Sequence, residues 1–319
     1  MRDFAIETIN LVKKYDSKVV VDNLNLKIPE GKIFGFLGPN GAGKSTTINM
    51  LSTVLSPTTG TAIVNGFDLI KERKKIREII GVCPQELGIY ELMTARENIH
   101  LIAQMHNIHP RDYKERTDEL LGQMQLLDRA DDQVKKYSGG MKRRINVLMA
   151  VIHDPEIIFL DEPGAGLDPQ SRRVVWDFIK DFEKQRKTVI LTTHNMEEAD
   201  DLSSKLVIID NGKIIAEGSP RELKARIGGG DVIEFKLPEE KIELREKVIS
   251  SLKSNKDVLW AQPLGKELIS FSAMDGLRKI SNFYSQIFNE FSVSMNDVQI
   301  RQNSLEDVFI ELTGRKLRE

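Results

Sequence analysis

Nine residues constrain this chain more than any others: Gly38 to Thr46, reading GPNGAGKST. An apolar run from Lys32 to Leu37 leads in, and a segment carrying Ile48, Met50 and Leu51 on one helical face leads out. The stretch fits the phosphate-loop pattern G-x-x-x-x-G-K-[ST] in a strand-loop-helix setting. Gly38, Gly41 and Gly43 let successive backbone N–H groups point inward around a multiply charged anion. The helix that follows aims the positive end of its dipole at the same place. Lys44 can reach the β- and γ-phosphates, and the Ser45 hydroxyl can coordinate Mg2+. Pro39, Asn40, Ala42 and Thr46 complete the nucleotide-binding loop. The chain is expected to bind a nucleotide.

Strands and helices alternate around this loop. FAIETINLV, VVVDNLNLKI and GTAIVNGFDL read as strands, the last turning at Asn65-Gly66. A charged helix over 70–77 and the strand IIGVCP, ending at Gln85, follow. Residues 87–152 then show helical spacing in MTARENIHLIAQMH, RDYKERTDELLGQMQLL and GGMKRRINVLMAVIH, with no convincing strand between them. EIIFLDEP and TVILTTH resume the buried strands, and KLVIIDNGKIIAEG reads as a hairpin around Asn211-Gly212. Strands too apolar to be half-exposed imply a largely parallel sheet covered on both faces, hence an α/β phosphate-loop fold with a helical insertion.

Three glycines at 228–230 mark the expected boundary between a domain over 1–227 and a smaller one over 231–319. Beyond them the order is strand, helix (240–252), strand, strand, helix (275–289), then the strand FSVSMNDVQI, which matches a small α+β, ferredoxin-like module. The last helix, SLEDVFIELTG, spaces Leu305, Val308, Phe309 and Leu312 on one face, with Ser304 and Asp307 as a capping box and Gly314 as a stop.

Composition excludes several classes. A formal net charge of −2 argues against general nucleic-acid affinity. A single cysteine, Cys83, excludes an internal disulfide, fits a reducing cytoplasm and is expected to be a buried structural thiol. No apolar run approaches the ~18 residues of a spanning helix, and the N-terminus lacks a signal-peptide core. The protein is expected to be soluble by itself, with any membrane part supplied by another chain.

Two further stretches say what the nucleotide is for. IIFLDE at 157–162 ends a buried strand in two carboxylates. In phosphate-loop enzymes an aspartate at that place holds Mg2+, a role Asp161 fits, and Glu162 stands where it can polarise a water in line with the γ-phosphate. YSGGM at 137–141 opens a helix with a hydroxyl, free N–H groups and the helix dipole, a second anion-ready surface.

With these in order, residues 1–225 resemble the ATPase cassette of ABC transporters. The resemblance makes Tyr15 the aromatic that stacks on adenine, although an ordinary half-buried tyrosine is the alternative. It makes residues 38–46 Walker A, Gln85 the glutamine that senses Mg2+ and the attacking water, and Ser138, Gly139 and Gly140 the signature. Asp161 and Glu162 become Walker B and the catalytic base. Leu167 and Asp168 become the D-loop, and His194 the switch histidine on the γ-phosphate. His100, His106, His109 and His153 have no such context and read as surface or packing residues.

Met141 stands where glutamine is common, similar to ATPases of ABC-2-type drug exporters. The ending SLEDVF resembles the accessory domain of daunorubicin-resistance-like ATPases, and a domain that merely strengthens the dimer is the other reading of its role. Gly164 and Ala165 remove hydroxyls that the family usually places there. Lys142, Arg143 and Arg144 read as a solvated helix face, with a modest pull on phosphates as the alternative.

The resemblance implies two cassettes, expected to be identical, around two ATP, driving a separately encoded permease from the cytoplasmic face of the membrane. Other functions to weigh are a soluble ABC ATPase acting on ribosomes or nucleic acid, and a regulatory module with little turnover. The first usually carries two cassettes or long coiled coils, and the second sits poorly with Glu162 and His194 both present.

Overall fold

The computed structural model describes residues 3–226, 230–265 and 267–313. The expected linker glycines Gly228 and Gly229 and the helix stop Gly314 lie outside them. The contacts divide the chain into two units, one ending at Pro220 and one beginning at Arg221.

The first unit opens with strands β1 (Phe4–Tyr15), β2 (Lys18–Leu24), β3 (Lys27–Pro29) and β4 (Ile33–Leu37), then helix α1 (Lys44–Leu51). Next come β5 (Thr59–Val64), β6 (Phe67–Asp68), α2 (Arg73–Ile79) and β7 (Ile80–Cys83). The helical insertion supplies α3 (Ala95–Met105), α4 (Pro110–Gln123) and α5 (Gly139–Val151). The chain returns through β8 (Ile157–Asp161), α6 (Pro169–Lys184), β9 (Thr188–Thr193), α7 (Met196–Leu202), β10 (Lys205–Asp210) and β11 (Lys213–Gly218).

Hydrophobic runs become the central strands: β4, β8 and β9 are buried at every position. They lie in a six-stranded sheet ordered β11-β10-β4-β9-β8-β7, parallel except at the β11 edge. One face carries Phe34, Phe36 and Phe159 against Ile6, Leu11 and Ile28 of an antiparallel sheet and Ile48 of α1. The other carries Ile158, Leu160 and Leu191 against Ile99, Leu148 and Phe178 of the helices. Both faces are dry, which is why these strands read as continuous apolar runs.

Local chemistry sets the ends of the elements. At Asn65-Gly66 and Asn211-Gly212 both residues have positive φ, as a type I′ hairpin turn requires. Thr94 and Glu97 form a capping box on α3, and the imidazole of His109 accepts from Arg111 N–H at the start of α4. The helix expected from residue 70 begins at Arg73, because Asp68 caps the N–H groups of Ile70 and Lys71 in a preceding turn.

Register places the functional ends together. Leu37 pairs with Thr193 and Asp161 with Thr192, so the carboxyl ends of β4, β9 and β8 finish level. Loops leaving that edge carry the phosphate loop, Glu162 and His194, where ligand sites of open α/β sheets form.

The second unit takes in α8 (Pro220–Arg226) almost entirely and continues with β12 (Asp231–Lys236), α9 (Arg245–Ser254), β13 (Val258–Leu264), β14 (Leu268–Ala273), α10 (Gly276–Phe291), β15 (Asn296–Gln302) and α11 (Leu305–Thr313). Its sheet runs β13-β14-β12-β15 with every neighbouring pair antiparallel. Phe235, Phe271 and Phe283 form its core, with Val248 of α9 and Ile287 of α10. Two expectations shift here. The helix expected from residue 240 begins as a 3-10 turn over Glu239–Leu244, and the strand expected from Phe291 begins at Asn296. Phe291 instead belongs to α10, which ends where Ser292 takes a left-handed φ of 51°.

Candidate functional site

The phosphate loop turns by positive φ at Gly41 and Gly43, 81° and 102°, conformations a side chain would strain. At Gly43 a Cβ would also overlap the Val20 carbonyl, so strand β2 closes one wall. The cavity beside the loop measures about 300 Å³ and is lined by Val20, Pro39, Asn40, Gly41, Gly43, Lys44, Ser45, Thr46, Gln85 and Glu162.

Lys44 is 5% exposed. Its ammonium donates to the carbonyls of Gly38 at 2.7 Å and Pro39 at 3.3 Å and lies 3.3 Å from Glu162 Oε1. Burial pushes its pKa below the ordinary lysine value, and the Glu162 carboxylate opposes that shift. The Ser45 hydroxyl donates to Asp161 Oδ1 at 3.0 Å, and Thr192 donates to the same oxygen. A serine hydroxyl beside an aspartate, next to a phosphate-binding loop, is a donor set that fits Mg2+. Among the described residues no cluster of three His, Cys, Asp or Glu side chains could hold a metal by itself; here phosphate oxygens would complete the shell.

Glu162 is 4% exposed and has a φ of 53°, a left-handed backbone rare outside glycine. Such a conformation costs on the order of 1 kcal/mol and persists where neighbours over-determine it. Its N–H donates to the Thr192 carbonyl and hydroxyl, each at 3.1 Å. His194 Nδ1 lies 2.8 Å from Glu162 Oε2, an ion-pair distance without hydrogen-bond alignment. The structure therefore brings Lys44, Ser45, Gln85, Asp161, Glu162 and His194 to one edge.

Other expected site residues stand apart from the cavity lining. Tyr15 is exposed at the end of β1 with Lys13 Nζ 5.0 Å from its ring centre. Ser138 caps α5, its hydroxyl accepting from Met141 N–H at 3.2 Å. A Cβ at Gly139 would meet nothing within 4 Å, whereas Gly140 packs toward Ser171 and Leu167. Asp168 caps α6, accepting from Ser171 N–H at 2.9 Å, and that bond holds its carboxyl below the usual aspartate pKa. The stretches expected to be the signature and the D-loop are thus neighbours of each other. Cys83 is buried, which pushes its thiol up to about 11.

The basic run at 142–144 is corrected: it is not a solvated face. Lys142 pairs with Glu91, Arg144 donates to the Met124 carbonyl at 2.8 Å, and Arg143 is 4% exposed and hydrogen-bonded throughout. Its position was readable, since Arg143 shares a helical stripe with Asn146, Val147 and Ala150, all buried. Gly164 is also reinterpreted. A Cβ there would overlap Glu198 Oε1, the oxygen that accepts from Trp176 Nε1 at 2.9 Å. The missing side chain makes room for a buried carboxyl, whose pKa burial raises.

The ABC transporter family model matches residues 21–165. A daunorubicin resistance ATP-binding protein of Streptomyces coeruleorubidus is 35% identical, covering 100% of this chain and 99% of that one. A linearmycin resistance ATP-binding protein of Bacillus subtilis is also 35% identical, covering 98% and 100%. Among solved structures, the dimeric cassette MJ0796 in a post-hydrolysis state bound to ADP and Pi superposes with a TM-score of 0.62 at 26% identity, over 67% of this chain and 98% of that one. End-to-end likeness at this identity, on top of a phosphate loop facing two strand-end carboxylates, means that the chain belongs to the ATP-hydrolysing subunits of ABC transporters.

Proposed function

We propose that this ATPase powers a drug-type exporter, working as a pair of identical cassettes bound to a separately encoded permease at the cytoplasmic face of the membrane. The observation that carries the site reading is the meeting of Lys44 and Glu162 across the phosphate loop, 3.3 Å apart. ATP enters by giving Lys44 phosphate oxygens in exchange for that carboxylate. Glu162 is then free to accept a proton from water as it attacks the γ-phosphorus. His194, beside Glu162 Oε2, donates toward the same phosphate, and Gln85 orients the water. Ser45 and Asp161 would hold Mg2+, which would supply positive charge to the phosphate oxygens. Tyr15 offers its exposed ring to adenine. Ser138, Gly139 and Gly140, outside the cavity lining, face the nucleotide of the second cassette, with Asp168 alongside. Among the described residues no helix is long and apolar enough to cross a membrane, which fits a partner-borne pathway.

The same reading assigns 1–227 to the cassette, seven residues past the contact division at Pro220, with 87–152 as its helical subdomain, and 231–319 to an accessory domain. The strand order β13-β14-β12-β15 and the two helical crossovers support a ferredoxin-like module there. The full-length antibiotic-resistance relatives support the export reading. Size-exclusion chromatography of Glu162→Gln with and without Mg-ATP tests it. A dimer only with ATP is expected, and failure to bind ATP would sink the reading of residues 38–46.

A further inference from the structure

The strained turn at Glu162 is held from the signature helix. Arg143, in the second turn of α5 after Ser138, presents five N–H groups and uses all five on main-chain carbonyls. Nε donates to Pro163 at 3.3 Å. Nη1 donates to Pro84 and Gln85 at 2.9 Å each, and Nη2 to Glu162 at 2.6 Å and also to Asp161. None of these acceptors is a carboxylate. One turn further along, Asn146 Nδ2 donates to Pro84 at 3.2 Å, and its Oδ1 accepts from Gly88 N–H at 3.2 Å. Helix α5 therefore grips the turn after β7 and the turn after β8 together.

We infer that Arg143 is a positioning residue for hydrolysis: it fixes the left-handed turn from which Glu162 projects and sets Gln85 relative to it. The planar guanidinium fork is what permits this. Two edges of one rigid group face two different loops, so neither loop can shift without losing bonds to the other. A lysine ammonium has three donors at one point and cannot span both. Because Arg143 rides on α5, it also ties Glu162 to the helix that Ser138, Gly139 and Gly140 begin. The inference rests on Glu162 being the base, as proposed above.

The test is Mg-ATP turnover and equilibrium nucleotide affinity of the full chain, comparing wild type with Arg143→Lys, Arg143→Ala and Glu162→Gln. Misplacing a catalytic group by an ångström costs on the order of 100-fold. Arg143→Lys is therefore expected to lower kcat by roughly 30- to 100-fold, with affinity for Mg-ATP changed less than about threefold. Millimolar guanidinium ion is expected to restore part of the turnover of Arg143→Ala, and methylammonium none. Near wild-type turnover by Arg143→Lys would overturn the inference, as would a loss of affinity in proportion to kcat. So would equal rescue by both cations. Arg143→Lys, which keeps length and charge, decides the matter if Arg143→Ala does not fold. Unimpaired turnover by Glu162→Gln would break the reading of the base itself, which separates that failure from failure of Arg143.

Discussion

Arg143 in the cassette and Arg301 in the C-terminal unit are satisfied in opposite ways. Arg143 is almost fully buried and bonds only to carbonyls. Arg301 keeps 40% of its side chain exposed and bonds to two carboxylates. Its Nη1 and Nη2 form a bidentate pair with Asp307, at 2.6 and 2.9 Å, and Nη2 reaches Glu234 at 2.8 Å. Asp307 also accepts from Ser304 N–H at 2.7 Å and caps α11. Arg301 fastens a strand to a helix by charge, where Arg143 fastens two loops by dipoles. A guanidinium held by carbonyls follows the backbone, so its removal should be felt at the turns that carry catalysis. One held by carboxylates should be felt as lost charge pairing, with sensitivity to pH and salt.

The largest expected effect comes from Arg143→Met. Deleting a buried charged donor and leaving its partners unpaired costs about 3–5 kcal/mol. Hydrogen exchange should report it as faster exchange of amides around Gly88 and Glu162, with the C-terminal unit unchanged. Uniform acceleration in both units would break the comparison. Arg301→Met should cost less, about 1–2 kcal/mol, because the N–H and hydroxyl of Ser304 still satisfy the buried Asp307 carboxylate. Exchange near Ser304 and Val308 should quicken, while Mg-ATP affinity of the cassette stays as it was.

These two arginines also mark how far the sequence could be read. The gathering of the phosphate loop, the paired carboxylates and His194 at one edge is legible because each expected role demands a residue type at a fixed spacing. The helical insertion was legible from its period, and the α11 capping box from Ser304 and Asp307. Arg143 reads as solvated in the sequence because its acceptors are carbonyls, which every residue carries. Those at Pro84 and Gln85 lie 59 and 58 residues away in sequence. Only its place on the buried stripe of α5 gave a signal. Arg301 is hidden because its contact with Asp307 depends on β15 running to Gln302, past Ile300, where the strand pattern in the sequence ends. At Gly164 a missing hydroxyl was visible, but the carboxyl that takes the space comes from Glu198, a helix away.

Acid should separate the two arginines more finely. Burial by itself would raise the Asp307 pKa, but Arg301 and the Ser304 N–H and hydroxyl outweigh it and hold the carboxyl below its ordinary value. A carboxylate depressed on folding stabilises the native state fully above its unfolded pKa of about 3.9 and loses that contribution as pH falls through the folded value. Exchange around α11 should therefore accelerate below about pH 4, and Asp307→Asn should flatten that dependence. The Arg143 bonds contain no carboxylate acceptor, so they should add no such slope at Glu162.

Salt gives the smallest difference. Raising ionic strength from about 0.05 to 0.5 M shortens the Debye length from roughly 14 to 4 Å, which weakens exposed pairs and spares buried ones. Arg301, with 40% of its side chain open to solvent, should lose a few tenths of a kcal/mol of its pairing, read as modestly faster exchange near Ser304. Amides at Glu162 and Gly88 should not respond, because water and ions do not reach the Arg143 fork. Equal salt responses at the two places would mean that Arg143 is screened like a surface charge, and the distinction between dipole-held and charge-held arginines would fail.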